Sequence, residues 1–492
     1  MSQVIGEGSY GCALKPSLKC KNKRIDYHNK ISKFMLSTHA KTEIKEYTKI
    51  DKADKDNKFY LGKPILCNPA ETLETRDAID ECRNFKRSSD LKDHKLIVME
   101  DGGLNLKDYT DKIIKKMKKN GKNIEKVEKV LIEMQRMLWG LVVLLENDAI
   151  HHDLKPENIV YNEKNNRMNF IDFGLMTSLR KAKRDCQNGS YKFAIEHWSF
   201  PIEMKFIDVL EYSRMANLSK ERKDTLFTNY LDLIKSNNSH PARIAFSYLL
   251  GGNNPSDQSI DAYMREYYYF LIDDVKLNNY SKILLNTLET IDSYGVGLAF
   301  GYLISNCDHL LDDNIHTDLQ IFFLEMAYPN ALTRRSARET LIQYEEKLEK
   351  YGLLKKHGKR FDNHELVKRT QMPKQIERKI DSLDSIDIIL SANELEKASS
   401  EPIRLCPDGK EVNPVTKRCV NVCKPGFSRN EKFQCKKQKP IKIKENKSQK
   451  PCPEGKEKNP KTKRCVNVCK PGFSRNENFQ CKKTRKNSKN SV

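Results

Sequence analysis

Little in these 492 residues suits a bilayer. The longest apolar stretch, MLWGLVVLL at 137–145, has nine residues, half the roughly 18–20 needed for a membrane span. The start, MSQVIGEGSYG, lacks the hydrophobic stretch of a signal peptide. An intracellular setting with no membrane partner is therefore expected. Cysteine is sparse at first, with six residues scattered through the first 400 and eight in the last 92. Scattered cysteines in a cytosolic chain are normally reduced, so those six are read as reduced and without function. Acidic residues are sparse at the other end. From Glu401 to Val492, 26 Lys or Arg face 8 Asp or Glu, which places +18 of the +22 net charge in the tail. A chain of this length is expected to hold two or three units.

What is present is a series of phosphate-handling residues in a fixed order. GEGSYGCA fits G-x-G-x-x-G-x-V, with Ala13 in place of valine. Gly6, Gly8 and Gly11 would let backbone N–H groups approach phosphates without a Cβ in the way. NKISKFM puts Lys33 on an apolar strand-like segment, a cation for the α and β phosphates. In the helical AKTEIKEYTKID, Glu43 or Glu46 could pair with it. Glu43 is preferred because Tyr47 and Ile50 follow at helical spacing on the inward face. KLIVME (95–100) reads as a strand, residues 125–148 as a long helix, and NIVY and MNFID as short strands. Small strands first and helices later is an α+β order with two lobes. Asp153, Lys155 and Asn158 then appear in HHDLKPEN, and Asp172-Phe173-Gly174 follows nineteen residues after Asp153.

Through HHDLKPEN and DFG the chain resembles the eukaryotic-type protein kinase family, in its serine/threonine branch, over residues 4 to about 350. The resemblance implies a bilobal protein kinase-like fold, with a small β-rich lobe and a large helical one. It also implies ATP and Mg2+ as cofactors and protein substrates. Asp153 would orient the substrate hydroxyl and accept its proton, Lys155 would neutralise charge on the transferring phosphoryl group, and Asn158 and Asp172 would hold Mg2+. Met99 falls in the gatekeeper position, with Glu100 and Asp101 offering backbone to adenine. Glu203 in SFPIE would end the activation segment, and Arg334 in NALTRRSARETL would pair with it. Asp292 in DSYGVG would brace the catalytic loop from the start of the central helix. A catalytically idle scaffold is the alternative, and the intact Lys33, Asp153, Asn158 and Asp172 argue against it.

The chain departs from the family pattern in four places. Glu203 and Asp292 lie 89 residues apart, where ten to twenty are usual, so a helical insertion is expected at about 205–285. Its Tyr267–Tyr269 read as helix packing. His152 replaces the arginine that binds a phosphate on the activation loop. A mostly neutral imidazole without a planar fork cannot do that well, so activity independent of loop phosphorylation is expected. Glu196 stands where threonine is frequent, with Ser199 as a nearby substitute. Only five residues precede Gly6, so a clipped first strand is expected.

The tail contains a duplication. CPDGKEVNPVTKRCVNVCKPGFSRNEKFQC begins at Cys406, and CPEGKEKNPKTKRCVNVCKPGFSRNENFQC begins 46 residues later at Cys452. The expected divisions are a catalytic domain at 1–355, a polar linker at 356–404 with an amphipathic helical pattern, and a repeat at 405–437. A basic linker at 438–450, a second repeat at 451–483 and a basic end at 484–492 follow. Each copy reads C-x12-C-x3-C-x11-C without histidine. This leaves an all-thiolate zinc site, disulfides in an oxidising setting such as a virion, and reduced thiols all open. The first half of each copy resembles the two-cysteine adaptor domain of large DNA viruses. That likeness implies recruitment of a still unidentified partner, and a viral enzyme at work in host cytoplasm. The basic tail could also bind nucleic acid, but Phe427, Phe433, Phe473 and Phe479 read as small-core residues, not stacking platforms.

Overall fold

The computed structural model describes residues 2–8, 11–83, 90–357, 410–412, 419–421, 427–429, 435–437, 456–458, 465–470, 473–475 and 480–483. The chain divides into two units, Met1–Glu401 and Pro402–Val492.

The first unit opens with an antiparallel sheet. Its strands are β1 (Gln3–Gly8), β2 (Gly11–Lys15), β3 (Lys30–Leu36), β4 (Ile65–Cys67) and β5 (His94–Glu100), in the order β1-β2-β3-β5-β4. Helix α1 (Ser37–Ala53) follows β3, and α2 (Leu73–Asp80) follows β4. Side chains alternate across a strand, so β3 turns Phe34 toward Leu14, Leu96 and Val98. It turns Met35 the other way, toward Ala40 of α1 and Ile97. Lys33 shares the Met35 face. On α1, Ala40, Glu43, Tyr47 and Ile50 are the buried residues, spaced three or four apart on one helical face. The same periodicity that buries Tyr47 therefore carries Glu43 under the sheet, beside Lys33. β1 is paired along its length with β2, short as its approach is.

The rest of this unit is mostly helical. β6 (Leu104–Asn105), α3 (Leu106–Lys112) and α4 (Gly121–Glu146) lead into β7 (Ala149–Ile150), β8 (Ile159–Asn162) and β9 (Arg167–Phe170). β6, β8 and β9 form one small sheet, and β10 (Thr177–Ser178) pairs with β7. The helices α5 (Leu179–Gln187), α6 (Val209–Ala216), α7 (Lys220–Ser236), α8 (Pro241–Leu249) and α9 (Asp257–Tyr269) come next. α10 (Tyr280–Ser305), α11 (Asp313–Met326), α12 (Ala337–Lys350) and α13 (Leu353–His357) complete the unit. α4 and α10 bury residues on nearly every face and form the axis of the large lobe. The architecture is α+β and bilobal, and α6 to α9 fill the expected insertion.

Several expectations need correction. Four of the six early cysteines are paired, Cys12 with Cys82 and Cys20 with Cys67, while Cys186 and Cys307 are free and buried. Both bonds lie in the small lobe, where a thin core of one sheet and short helices gains most from cross-links. The central helix starts at Tyr280, so Asp292 sits in its middle, because the apolar pattern of YSKILLNTLETI extends the helix upstream. Tyr267 is buried as expected, whereas Tyr269 is exposed. α13 runs past residue 355, with Lys356 and His357 bonded to Glu128 of α4.

In the second unit each repeat forms two short hairpins. β11 (Lys410–Val412) pairs with β12 (Cys419–Asn421), and β13 (Phe427–Arg429) with β14 (Cys435–Lys437). β15 (Lys456–Lys458), β16 (Cys465–Asn467), β17 (Phe473–Arg475) and β18 (Cys481–Lys483) repeat the pattern in the same register. Cys469 is disulfide-bonded to Cys481, and Cys465 is disulfide-bonded as well. For these cysteines the disulfide alternative holds over zinc or free thiols. Phe473 is exposed, contrary to its expected core role. Phe433, Phe479, the amphipathic pattern within 356–404, the linker 438–450 and the end 484–492 lie outside the described residues.

Candidate active site

The small lobe supplies a cation between two carboxylates. Lys33 Nζ donates to Glu43 Oε2 at 2.8 Å and to Asp172 Oδ1 at 3.0 Å. Burial pulls the Lys33 ammonium down, but Asp172 and Glu43 outweigh it, and its pKa ends above the ordinary value. Burial alone would raise Asp172, and the neighbouring Lys33 instead holds it below the ordinary carboxylate range. Burial pushes the Glu43 carboxyl up, and its Oε1 has no hydrogen-bond partner. Glu46 is the outward choice and pairs with Lys49 on the surface of α1.

The catalytic loop holds its own charges. Lys155 Nζ donates to both Asp153 carboxylate oxygens, at 2.8 and 2.9 Å. Asn158 Nδ2 donates to the Asp153 carbonyl at 2.7 Å and to its Oδ2 at 2.9 Å. With the amide nitrogen engaged there, Asn158 Oδ1 is the atom left for a hard cation. Asp292 accepts the backbone N–H groups of His151 (2.6 Å) and His152 (2.8 Å) from within α10. Those bonds hold a tight bend in which His152 has φ 71°, a left-handed value that a non-glycine residue adopts only when its surroundings impose it. Gly295 lets α10 come this close, since a Cβ there would stand 2.1 Å from the Leu154 carbonyl oxygen. Asp172 is also left-handed, at φ 62°, and Phe173 beyond it is buried against Tyr47, Tyr60 and His151.

At the roof, Gly8 pairs with Gly11 across the hairpin. A Cβ on Gly11 would lie 2.3 Å from the Phe34 carbonyl oxygen, so sheet packing alone demands glycine there, while Gly6 has room. Met99 is half-buried at the end of β5, against the Met35 cluster. The Asp101 N–H is already donated to the Asn29 carbonyl at 2.8 Å and is not free for adenine. Lys30 opposite Glu100 is then the non-hydrogen-bonded pair of the ladder, which turns the Glu100 backbone groups away from β3.

Midway along the activation segment the contacts are neutral. The His152 Nε2 and the Tyr191 hydroxyl are hydrogen-bonded to each other, and Phe193 and Phe200 close around the imidazole. Burial lowers the His152 pKa to about 4, so the ring is neutral. At the far end Arg334, in the bend before α12, pairs with Glu203, both side chains fully buried. Thr287 also donates to Glu203 Oε1 at 3.1 Å. Ser199 does not reach the catalytic pair, because its hydroxyl is bonded to His197 Nδ1 at 2.8 Å. The sequence reading passed over His197. Burial and the Lys155 ammonium hold its pKa down while Asp153 opposes them, which sets it in the field of both candidate catalytic residues. No spacing rule singles out such a histidine.

A family model described as ABC1 atypical kinase-like domain matches residues 93–195, from β5 into the activation segment. Serine/threonine-protein kinase prp4 of Schizosaccharomyces pombe (strain 972 / ATCC 24843) is 32% identical over 92 residues, which is 18% of this chain and 18% of that protein. The chain thus spans less than a fifth of the length of this curated relative. Fold, site and matches together define a kinase-like protein. Among the described residues no helix is long and apolar enough to cross a membrane.

Proposed function

We propose that the chain is a serine/threonine protein kinase that transfers the γ-phosphate of ATP to protein hydroxyls without needing a phosphorylated activation loop. The observation that carries this reading is Lys33 bonded at once to Glu43 and Asp172, opposite an Asp153 carboxylate held by Lys155 and Asn158. The residues fit the ligands the reaction needs. Lys33 would hold the α and β phosphates, and Asn158 and Asp172 would hold Mg2+. Bound ATP and Mg2+ supply the phosphoryl group and the neutralisation of charge that makes it transferable. Asp153 orients the attacking hydroxyl and takes its proton. Lys155 keeps that carboxylate in place and offsets charge on the transferring group. His152 needs no phosphate partner, since Tyr191 and two phenylalanines already fill its surroundings.

The two tail repeats are proposed to recruit a partner, on their likeness to viral adaptor modules, in an enzyme of a large DNA virus. Disulfides in both the small lobe and the second repeat suit maturation in an oxidising setting such as a virion.

The test is transfer of labelled phosphate from ATP to a generic basic protein by the full chain, with Asp172→Ala as control. Magnesium-dependent labelling that survives phosphatase pretreatment and disappears in the variant supports the proposal. A second reading, a kinase-fold protein that acts on something other than protein, draws on the atypical family model over 93–195. ATP turnover without protein labelling would favour it, and nucleotide binding without turnover would favour a recruiting scaffold.

A further inference from the structure

Residues 188–201 contain no helix or strand and are held by a few local turns together with side-chain contacts. The insertion reaches it at two points. The Tyr230 hydroxyl of α7 donates to Glu196 Oε1. Lys205 Nζ lies 4.0 Å from the same oxygen and 3.4 Å from the centre of the Tyr230 ring. His240 caps α8 by accepting the Ala242 N–H on its Nδ1, which leaves the proton of the neutral ring on Nε2, 3.9 Å from Glu196 Oε1. Two residues further on, Trp198 stacks on Tyr248 of α8, with centroids 4.6 Å apart and planes at 12°. The Tyr248 hydroxyl donates to Glu157 Oε1 at 3.2 Å, so α8 touches the catalytic loop and the activation segment together.

From this geometry we infer that the helical insertion is a built-in anchor of the activation segment, and that Glu196 and Tyr230 are positioning residues for the loop His197–Pro201. A carboxylate of the segment itself, bonded to Tyr230 with Lys205 and His240 standing about 4 Å off, does the ordering that an added phosphate would otherwise do. The segment is then pinned four times: Tyr191 to His152, Glu196 to Tyr230, Trp198 to Tyr248, and Glu203 to Arg334. Its catalytic consequence rests on the kinase reading, but the anchoring itself does not.

The experiment uses the full chain with Tyr230→Phe, which deletes one hydroxyl, together with Glu196→Ala and Glu196→Gln. Tyr268→Phe is the control, since that hydroxyl bonds Asp224 within the insertion. Hydrogen exchange of peptides covering 190–201 is expected to rise roughly tenfold in Tyr230→Phe and Glu196→Ala, the scale of one charge-assisted hydrogen bond. Exchange in α4 and α10 should be unchanged. KM for the protein substrate should rise in the same variants with KM for ATP unmoved, and Glu196→Gln, which keeps an acceptor for Tyr230 but loses the charge, should fall between the parent and Glu196→Ala. Unchanged exchange at 190–201 would overturn the anchor, as would a rise spread evenly over the large lobe. If Glu196→Ala does not fold, Tyr230→Phe decides alone. A parent chain without phosphotransfer would remove the kinase reading and leave the exchange result to judge the anchor.

Discussion

The catalytic loop and the activation segment lie side by side but are held in different ways. Asp153, Lys155 and Asn158 bond one another within six residues of chain. The activation segment is held by groups 34 to 131 residues away, among them Tyr230, His152 and Arg334. The charged side chains of the first region hold one another, while its backbone bend is braced by Asp292 of α10; the activation segment takes even its side-chain partners from the large lobe. The candidate catalytic charges are those held by near neighbours in the chain. The region that would bind substrate depends on the folding of distant helices, which is where divergence in length is tolerated and where control can be built.

Substitutions can break this contrast. The largest effect is expected in the loop. On the proposed kinase reading, Asp153→Asn keeps the shape but removes the proposed proton acceptor, and kcat should fall by about 10² to 10⁴, with the circular dichroism spectrum unchanged. Glu203→Ala tests the far end of the segment. It leaves Arg334 buried without its partner, and breaking one side of a buried pair costs about 3–5 kcal/mol. A lower urea midpoint would report that loss, and an unchanged midpoint would contradict the buried pair.

His152 joins the two regions and gives a pH signature. Its pKa is lowered to about 4 by burial, whereas an unfolded histidine titrates near 6.5. Between those values the unfolded chain binds more protons, so stability is complete above about pH 6.5 and declines as pH falls toward about 4. The loss attributable to this residue is roughly 3 kcal/mol. His152→Gln should flatten that limb of the stability profile, measured by urea melts from pH 4 to 7. The smallest effect sharpens the choice on α1. Glu46→Gln removes an exposed pair worth about 0–1 kcal/mol and should leave activity intact, whereas Glu43→Gln should lower it.

Much of the site could be read directly. HHDLKPEN and DFG are informative because their members act together over a few residues, and Lys33 and Glu43 follow from strand alternation and helical periodicity. The hinge was only half legible, since Asp101 N–H is taken by Asn29 and no pattern announces a backbone bond. Ser199 was misplaced for a similar reason, as its hydroxyl turned to its own neighbour His197. Small-lobe pairing of Cys12, Cys20, Cys67 and Cys82 was missed because spacing in sequence carries no record of which strands lie side by side.

The sequence by itself determined the two-lobed α+β order, the candidate residues for phosphate handling and the duplicated tail, since each depends on local periodicity or short spacing. Only the tertiary structure decided how the activation segment is held, that Asp292 braces the loop from mid-helix, and which cysteines meet. Those contacts join residues tens to more than a hundred positions apart, and their partners are chosen by packing in three dimensions, which no one-dimensional pattern encodes.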